Sequence, residues 1–194
     1  MEGKQDKKKK LPQSPFPHWL AFILSNPLRK LLLKPQKVIA AAGIKEGQVV
    51  LEVGCGPGFF TEYIAKKVGA KGKVIAQDVQ VQMLNKLKRR LRRFPVKDNI
   101  QPLLASSSAT GLPEASVDFI FAANVFEEIA KEGELEATVR ELYRLLKADG
   151  VLFFGEHRIP QTLLNNILNE LEKAGFKLKQ KLDNLFFAAA LYQK

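Results

Sequence analysis

The sequence predicts an α/β chain built as a doubly wound, largely parallel sheet with helices on both faces, three layers deep. Three observations carry that prediction. Short apolar runs alternate with helical patterns from about residue 48 to residue 174. The first run breaks into alternate glycines and re-enters a helix at once. The last two runs differ in character, one alternating and one continuously apolar, and a short connection makes them a hairpin.

The elements follow in order. Val49-Val50-Leu51-Glu52-Val53 centres a strand over about 48–53, and Phe59 to Lys67 opens a helix over 59–68, with Gly69 to Gly72 as the turn. A second strand is expected over 73–77 and a helix over 80–93. In that helix Leu84, Leu87, Leu91 and Phe94 fall on one side, and Lys86, Lys88, Arg89, Arg90, Arg92 and Arg93 on the wet side. Strands over 100–105 and 117–123 come next, then a helix over 134–147 with Leu135, Val139, Leu142 and Leu146 inward. A strand over 150–156 and a helix over 161–174, ended by Gly175, complete the rhythm. In the hairpin, residues 176–182 alternate and carry lysines, as an edge strand does; residues 185–192 are apolar throughout, as a strand covered on both faces is. The turn at Asp183-Asn184 makes the pair antiparallel.

Composition narrows the function classes. A chain of 194 residues is expected to form one domain. The lone Cys55 excludes a disulfide framework, and with two histidines there is no zinc ligand set and no metal site is expected. No apolar run reaches a membrane span, and prolines at 12, 15 and 17 make a poor signal peptide, so the cytoplasm is the expected compartment. Of the net charge of +11, residues 1–12 supply part as a basic tail expected to be disordered. Residues 13–46 read as a helical segment cut by Pro27 and Pro35. Its Trp19, Phe22, Ile23 and Leu24 either form a lid over a substrate pocket or touch a membrane surface beside Arg29, Lys30 and Lys34. Residues 47–194 are then the cofactor-binding domain.

The glycine stretch carries the chemistry. A strand that breaks into Gly54, Gly56 and Gly58 before a helix brings backbone close to a ligand. Asp78 closes the second strand at the spacing where an acid reaches a ribose hydroxyl. Phe59 stands where a dinucleotide fingerprint needs its third glycine, and Glu52 at the strand end suits a cationic ligand better than a pyrophosphate. S-adenosylmethionine (SAM) has that chemistry: a sulfonium, an ammonium, a ribose diol and a single carboxylate.

At these residues the chain resembles the class I SAM-dependent methyltransferases, of the methyltransferase type 11 or UbiE-like kind. The resemblance implies a Rossmann-like seven-stranded sheet of order 3-2-1-4-5-7-6 with strand 7 antiparallel. It implies that the backbone of Gly54, Cys55, Gly56 and Gly58 meets the methionine moiety, with Glu52 near the ammonium, Asp78 on the ribose and Val79 on the adenine. In the segment Ser106 to Pro113, Ser108 stands where the family usually has an aspartate toward the adenine amino group, with Ala109 beside it. Asn124, which follows the fourth strand, is implied as a further cofactor contact. Relatives frequently have histidine where Glu127 falls, which leaves Glu127 as a candidate base or cation binder. His157, with Glu156 and Arg158 expected on the same rim, is the other catalytic candidate. Asp118 is expected at a strand start without a chemical role, and Lys147-Ala148-Asp149-Gly150 replaces the family's usual Lys-Pro-Gly-Gly turn.

Methyl transfer to a small or lipid-like acceptor is the expected function. An RNA-directed methyltransferase using the basic helix 80–93 is the first alternative, although the chain has no Asn-Pro-Pro-Tyr element and no cysteine suited to pyrimidine methylation. A SAM-binding protein with little turnover is the second, because Ser108 and Glu127 replace the usual side chains.

Overall fold

The structure is a computed structural model that describes residues 34–94, 97–157, 159–182 and 188–194. The basic tail and most of the lid segment read from the sequence lie outside these residues. Helix α1 (Pro35–Ala42) leads into β1 (Val49–Val53), α2 (Thr61–Val68), β2 (Lys73–Asp78), α3 (Val81–Leu91), a 3-10 turn at Lys97–Asn99 and β3 (Ile100–Leu104). Then follow β4 (Val117–Ala123), α4 (Phe126–Lys131), α5 (Leu135–Leu145), β5 (Leu146–Glu156), α6 (Gln161–Lys173), β6 (Lys177–Lys181) and β7 (Ala188–Gln193).

The sheet order is β3-β2-β1-β4-β5-β7-β6, as the resemblance implies. β1 to β5 run parallel, and β7 is antiparallel to both β5 and β6. β6 is exposed at every residue, whereas β7 lies inside the sheet with Ala189, Ala190, Leu191 and Tyr192 buried. The apolar β7 and the lysine-rich β6 therefore occupy the places their patterns require. The turn that joins them lies outside the described residues.

Side-chain alternation along each strand divides the core in two. Val50, Val74, Ala76, Phe119, Phe121 and Phe153 pack toward α1, α2 and α3 through Ile39, Ile64 and Leu87. Leu51, Val53, Ile75, Ile120, Leu152 and Phe154 pack toward α4, α5 and α6 through Phe126, Leu142 and Ile167. Phe121 and Phe153, on neighbouring strands, stack with ring centroids 4.7 Å apart and planes 2° from parallel. Asp118 ties the strand starts together, accepting from the Val49 N–H at 2.8 Å and from Lys147 Nζ at 2.7 Å. Its role is structural, as expected.

The largest differences from the reading of the sequence lie at the start of β5 and at α4. The helix expected to reach residue 147 ends at Leu145, and Leu146 is buried as the first residue of β5, opposite Val117. The register then shifts before Phe119 pairs with Val151. Leu146 faces the core in either geometry, so its apolar character did not distinguish helix from strand. The short α4 was not expected. Phe126 and Ile129 are its buried residues, one i,i+3 pair, too few to set up a periodic pattern.

Candidate active site

Strand order reverses between β1 and β4, so a crevice opens at their carboxyl ends. The chain leaves β1 through Gly54, Gly56 and Gly58, all with positive φ. A Cβ on Gly54 would lie 2.6 Å from Val125 Cγ2, and one on Gly58 would lie 2.5 Å from Leu87 Cδ1. Those two glycines let the loop pack against the protein. Gly56 differs, because a Cβ there would meet nothing within 4 Å. It turns bare backbone toward open space, as a ligand cradle requires.

Buried polar groups from β2 pin this loop. Asp78 accepts from the Gly56 N–H and from the Gln80 N–H, each at 2.8 Å, so one carboxylate holds both the glycine loop and the entry to α3. Gln77 accepts from the Gly54 N–H at 3.1 Å through its side-chain oxygen and donates to the Ala105 carbonyl at 2.6 Å. Its own carbonyl accepts from the Cys55 N–H at 2.9 Å. The sequence reading missed Gln77; its signal was a polar residue inside an otherwise apolar strand. Arg90 was also misplaced, on the solvated face. It is half-buried and donates to the Pro57 carbonyl at 2.8 Å, a contact its long side chain makes from the third turn of α3.

The crevice holds a cavity of about 90 Å³ lined by Glu52, Gly54, Cys55, Gly56, Phe60 and Asn124 among others. Glu52 is 3% exposed and accepts from the Thr61 hydroxyl at 2.6 Å. Burial pushes its carboxyl up to about 8, a rise that the Thr61 bond opposes and the nearby Asp78 reinforces. Asp78, 7% exposed, is also raised by burial, against the pull of its backbone N–H donors, and Glu128 adds like charge. Cys55 is buried and its thiol is held well above its usual range, first by burial and then by Glu52 and Asp78. It is a small lining side chain with no nucleophilic character.

At the other wall, Asn124 has φ 55°, and its N–H donates to the Gly155 carbonyl at 2.8 Å, which fixes the turn out of β4. Glu156 does not stand on the rim with His157 as expected. It is buried and accepts from the Val125 and Phe126 N–H groups at 2.9 and 2.7 Å, capping the start of α4. Burial raises its carboxyl to about 7, against those two bonds. His157 is exposed just past β5, and Arg158 lies outside the described residues. Glu127, on the first turn of α4, pairs with Lys131 at 2.8 Å and is partly exposed. Val79 is half-buried at the end of β2. Ser108 contacts Ser106 Oγ through its own hydroxyl at 2.8 Å, and Ala109 is exposed next to it.

A family model described as a methyltransferase domain matches residues 50–150. The chain belongs to that family. The UbiE protein of Escherichia fergusonii, described as a ubiquinone/menaquinone biosynthesis C-methyltransferase, is 30% identical over 136 residues, 70% of this chain. The alignment covers 51% of that relative, so the chain spans about half the length of the curated relatives it matches. A SAM-dependent methyltransferase from Aquifex aeolicus has a similar structure, with TM-score 0.82, 30% identity, and coverage of 92% of this chain and 98% of that one. Fibrillarin from Aeropyrum pernix, solved with SAM bound, shares the fold at TM-score 0.63 and 19% identity, over 77% of this chain and 64% of its own.

This methyltransferase domain uses S-adenosylmethionine as its cofactor, and the crevice has the chemistry to hold it. Glu52 lines the cavity and Asp78 holds the glycine loop from β2, with Arg90 near enough to Glu52 to oppose the rise of its carboxyl. The open side of Gly56 leaves room where a larger residue would intrude. Among the described residues no group of His, Cys, Asp or Glu is arranged to hold a metal ion.

Proposed function

We propose that this methyltransferase domain transfers the SAM methyl group to a small, lipid-like acceptor entering beside α4. The observation that carries the reading is the pinned glycine loop with Glu52 and Asp78 buried against it. In this reading the backbone of Gly54, Cys55, Gly56 and Gly58 holds the methionine moiety and Glu52 takes the ammonium. Asp78 takes the ribose hydroxyls, and Val79, Ser108 and Ala109 flank the adenine. Asn124 lines the cofactor crevice beside the glycine loop, and Glu127 and His157 lie on the acceptor side.

When bound, the cofactor supplies an electrophilic methyl group on a good leaving group, so the bond to sulfur breaks as the bond to the acceptor forms. The chain orients and desolvates the partners. Phe59, Phe60 and Phe121 give the crevice an apolar wall that excludes water and suits an apolar acceptor. Any acceptor proton goes to His157 or Glu127 or to water. Glu127 is tied to Lys131 in a surface pair, so His157 is the first candidate to test. The Escherichia relative, a ubiquinone/menaquinone biosynthesis C-methyltransferase, makes a quinone-type ring the first acceptor to try.

The test incubates the full chain with methyl-labelled SAM and a panel of quinols, lipid extract and RNA. Label in a small apolar product supports the reading. Label in RNA favours the basic helix as an RNA surface. Tight SAM binding with no labelled product in any arm overturns the transferase reading.

A further inference from the structure

Within residues 34–194 the charge is divided unevenly along the chain. Residues 34–105, which build β1 to β3 and the α1–α3 layer, hold fourteen Lys and Arg against five Asp and Glu. Residues 106–194, which include the α4–α6 layer, hold ten against thirteen. Within the first group, Glu52 and Asp78 are buried in the crevice and Glu62 pairs with Lys66 at 2.7 Å, which leaves Glu46 and Asp98 as the remaining acids. Lys67, Lys88, Arg89, Arg92, Arg93 and Lys97 are all exposed. Among the described residues the excess positive charge thus lies with β1 to β3 and the α1–α3 layer. A like-charged face of that kind weakens the fold by self-repulsion unless an anion covers it.

We propose that the α1–α3 layer is a docking face for an anionic lipid bilayer. A bilayer leaflet presents negative charge in a plane, and each base brought near it adds attraction. Binders of single-stranded nucleic acid combine a basic groove with aromatic stacking platforms. Among the described residues this layer has no such platform: Phe59, Phe60 and Phe94 are buried, and Tyr63 is partly buried. Its exposed large apolar residues are aliphatic, Val81 at 46% and Leu104 at 45%. They sit where β2 enters α3 and where β3 ends, at the crevice end of the layer. Aliphatic groups beside bases suit the boundary between headgroups and acyl chains. This docking stands apart from the methyl-transfer reading, because it needs only the charge and position of the helices.

The experiment is co-sedimentation of the full chain with vesicles of phosphatidylcholine alone or containing about one third phosphatidylglycerol. Partitioning onto the anionic vesicles is expected to be at least about tenfold stronger at about 0.1 M salt and to fall steeply toward about 0.5 M. The fourfold variant Lys88→Glu/Arg89→Glu/Arg92→Glu/Arg93→Glu spares Arg90, which holds Pro57. It should lose at least about tenfold of that partitioning with SAM affinity, read by calorimetry, unchanged. If the fourfold variant does not bind SAM, the milder Lys88→Gln/Arg92→Gln replaces it, with a loss of about threefold expected. The edge variant Lys177→Glu/Lys179→Glu/Lys181→Glu should bind the vesicles as the unaltered chain does. Equal partitioning onto both vesicle types, full binding by the α3 variants, loss on the edge variant alone, or displacement from the vesicles by single-stranded RNA would each overturn the proposal.

Discussion

Replacing Asp78 separates what its carboxylate does for the fold from what it does for the cofactor. Its two oxygens accept from the Gly56 and Gln80 N–H groups, both at 2.8 Å. A hydrogen bond to a charged group contributes about 1.5–3 kcal/mol. Asp78→Ala strips both and leaves two N–H groups at a site 7% exposed, a loss of about 3–5 kcal/mol. A domain of this size holds about 5–15 kcal/mol in all, so the alanine variant reports on the fold as much as on the ligand. Asp78→Asn is the sharper probe. Its amide oxygen keeps one N–H, while its NH₂ faces the other, at a cost of about 2 kcal/mol. It also removes the charge that a ribose diol would use, which should weaken SAM binding about 10- to 100-fold. Calorimetric titration with SAM, set beside the thermal midpoint of the free variant, measures the two effects separately. A folded Asp78→Asn chain that binds SAM as tightly as the unaltered one would refute the ribose assignment, whatever the change in midpoint.

Other substitutions probe the remaining parts. Glu52 keeps its proton in the folded chain up to about pH 8, whereas an unfolded glutamate loses it near 4.5, so the fold binds more protons across that window and stability falls as pH rises through it. Glu52→Gln should flatten that fall in urea titrations at pH 5 to 8 and weaken SAM binding at least about tenfold; an unchanged slope would remove the buried-acid argument. Gly58→Ala forces a Cβ to 2.5 Å from Leu87 Cδ1 at φ 85° and should cost about 2–4 kcal/mol, and adding Leu87→Ala should recover only the steric share in a double-mutant cycle. His157→Ala should lower kcat about 10- to 100-fold with little change in SAM affinity, if it takes the acceptor proton. Glu127→Gln should change kcat less than threefold, since Lys131 already occupies that carboxylate.

The order of the sheet was legible because its signals are periodic and local. The buried β7 has to be apolar on both sides, and β6 guards an edge with Lys177, Lys179 and Lys181. The glycine loop was legible for a similar reason: three glycines and two acids at fixed spacing have few other uses. What the sequence hid depends on contacts between distant segments. Glu156 reads as one more polar residue at a strand end until α4, some 30 residues earlier in the chain, presents two N–H groups to it. Gln77 and Arg90 act through backbone atoms of the loop, and backbone leaves no trace in side-chain patterning. Leu146 shows the converse limit, since an inward apolar residue fits the end of α5 and the start of β5 equally well.

The two ends of the crevice are built differently, and that difference explains why the cofactor was easier to read than the acceptor. At the β1–β2 end every polar group is buried and tied to a partner: Glu52 to Thr61, Gln77 to Gly54 and Ala105, Asp78 to Gly56 and Gln80. Substitution there costs both folding and binding, so the residue types and their spacing are tightly constrained. At the β4–β5 end the candidate groups are exposed or partly exposed, His157 past a strand end and Glu127 in a surface ion pair. An exposed side chain contributes little to folding and can change without disturbing the scaffold, which Glu156 maintains by capping α4 from beneath. In the proposed reading, acceptor choice therefore rests on residues that the fold does not constrain, and the buried half of the site holds the methyl donor independently of them.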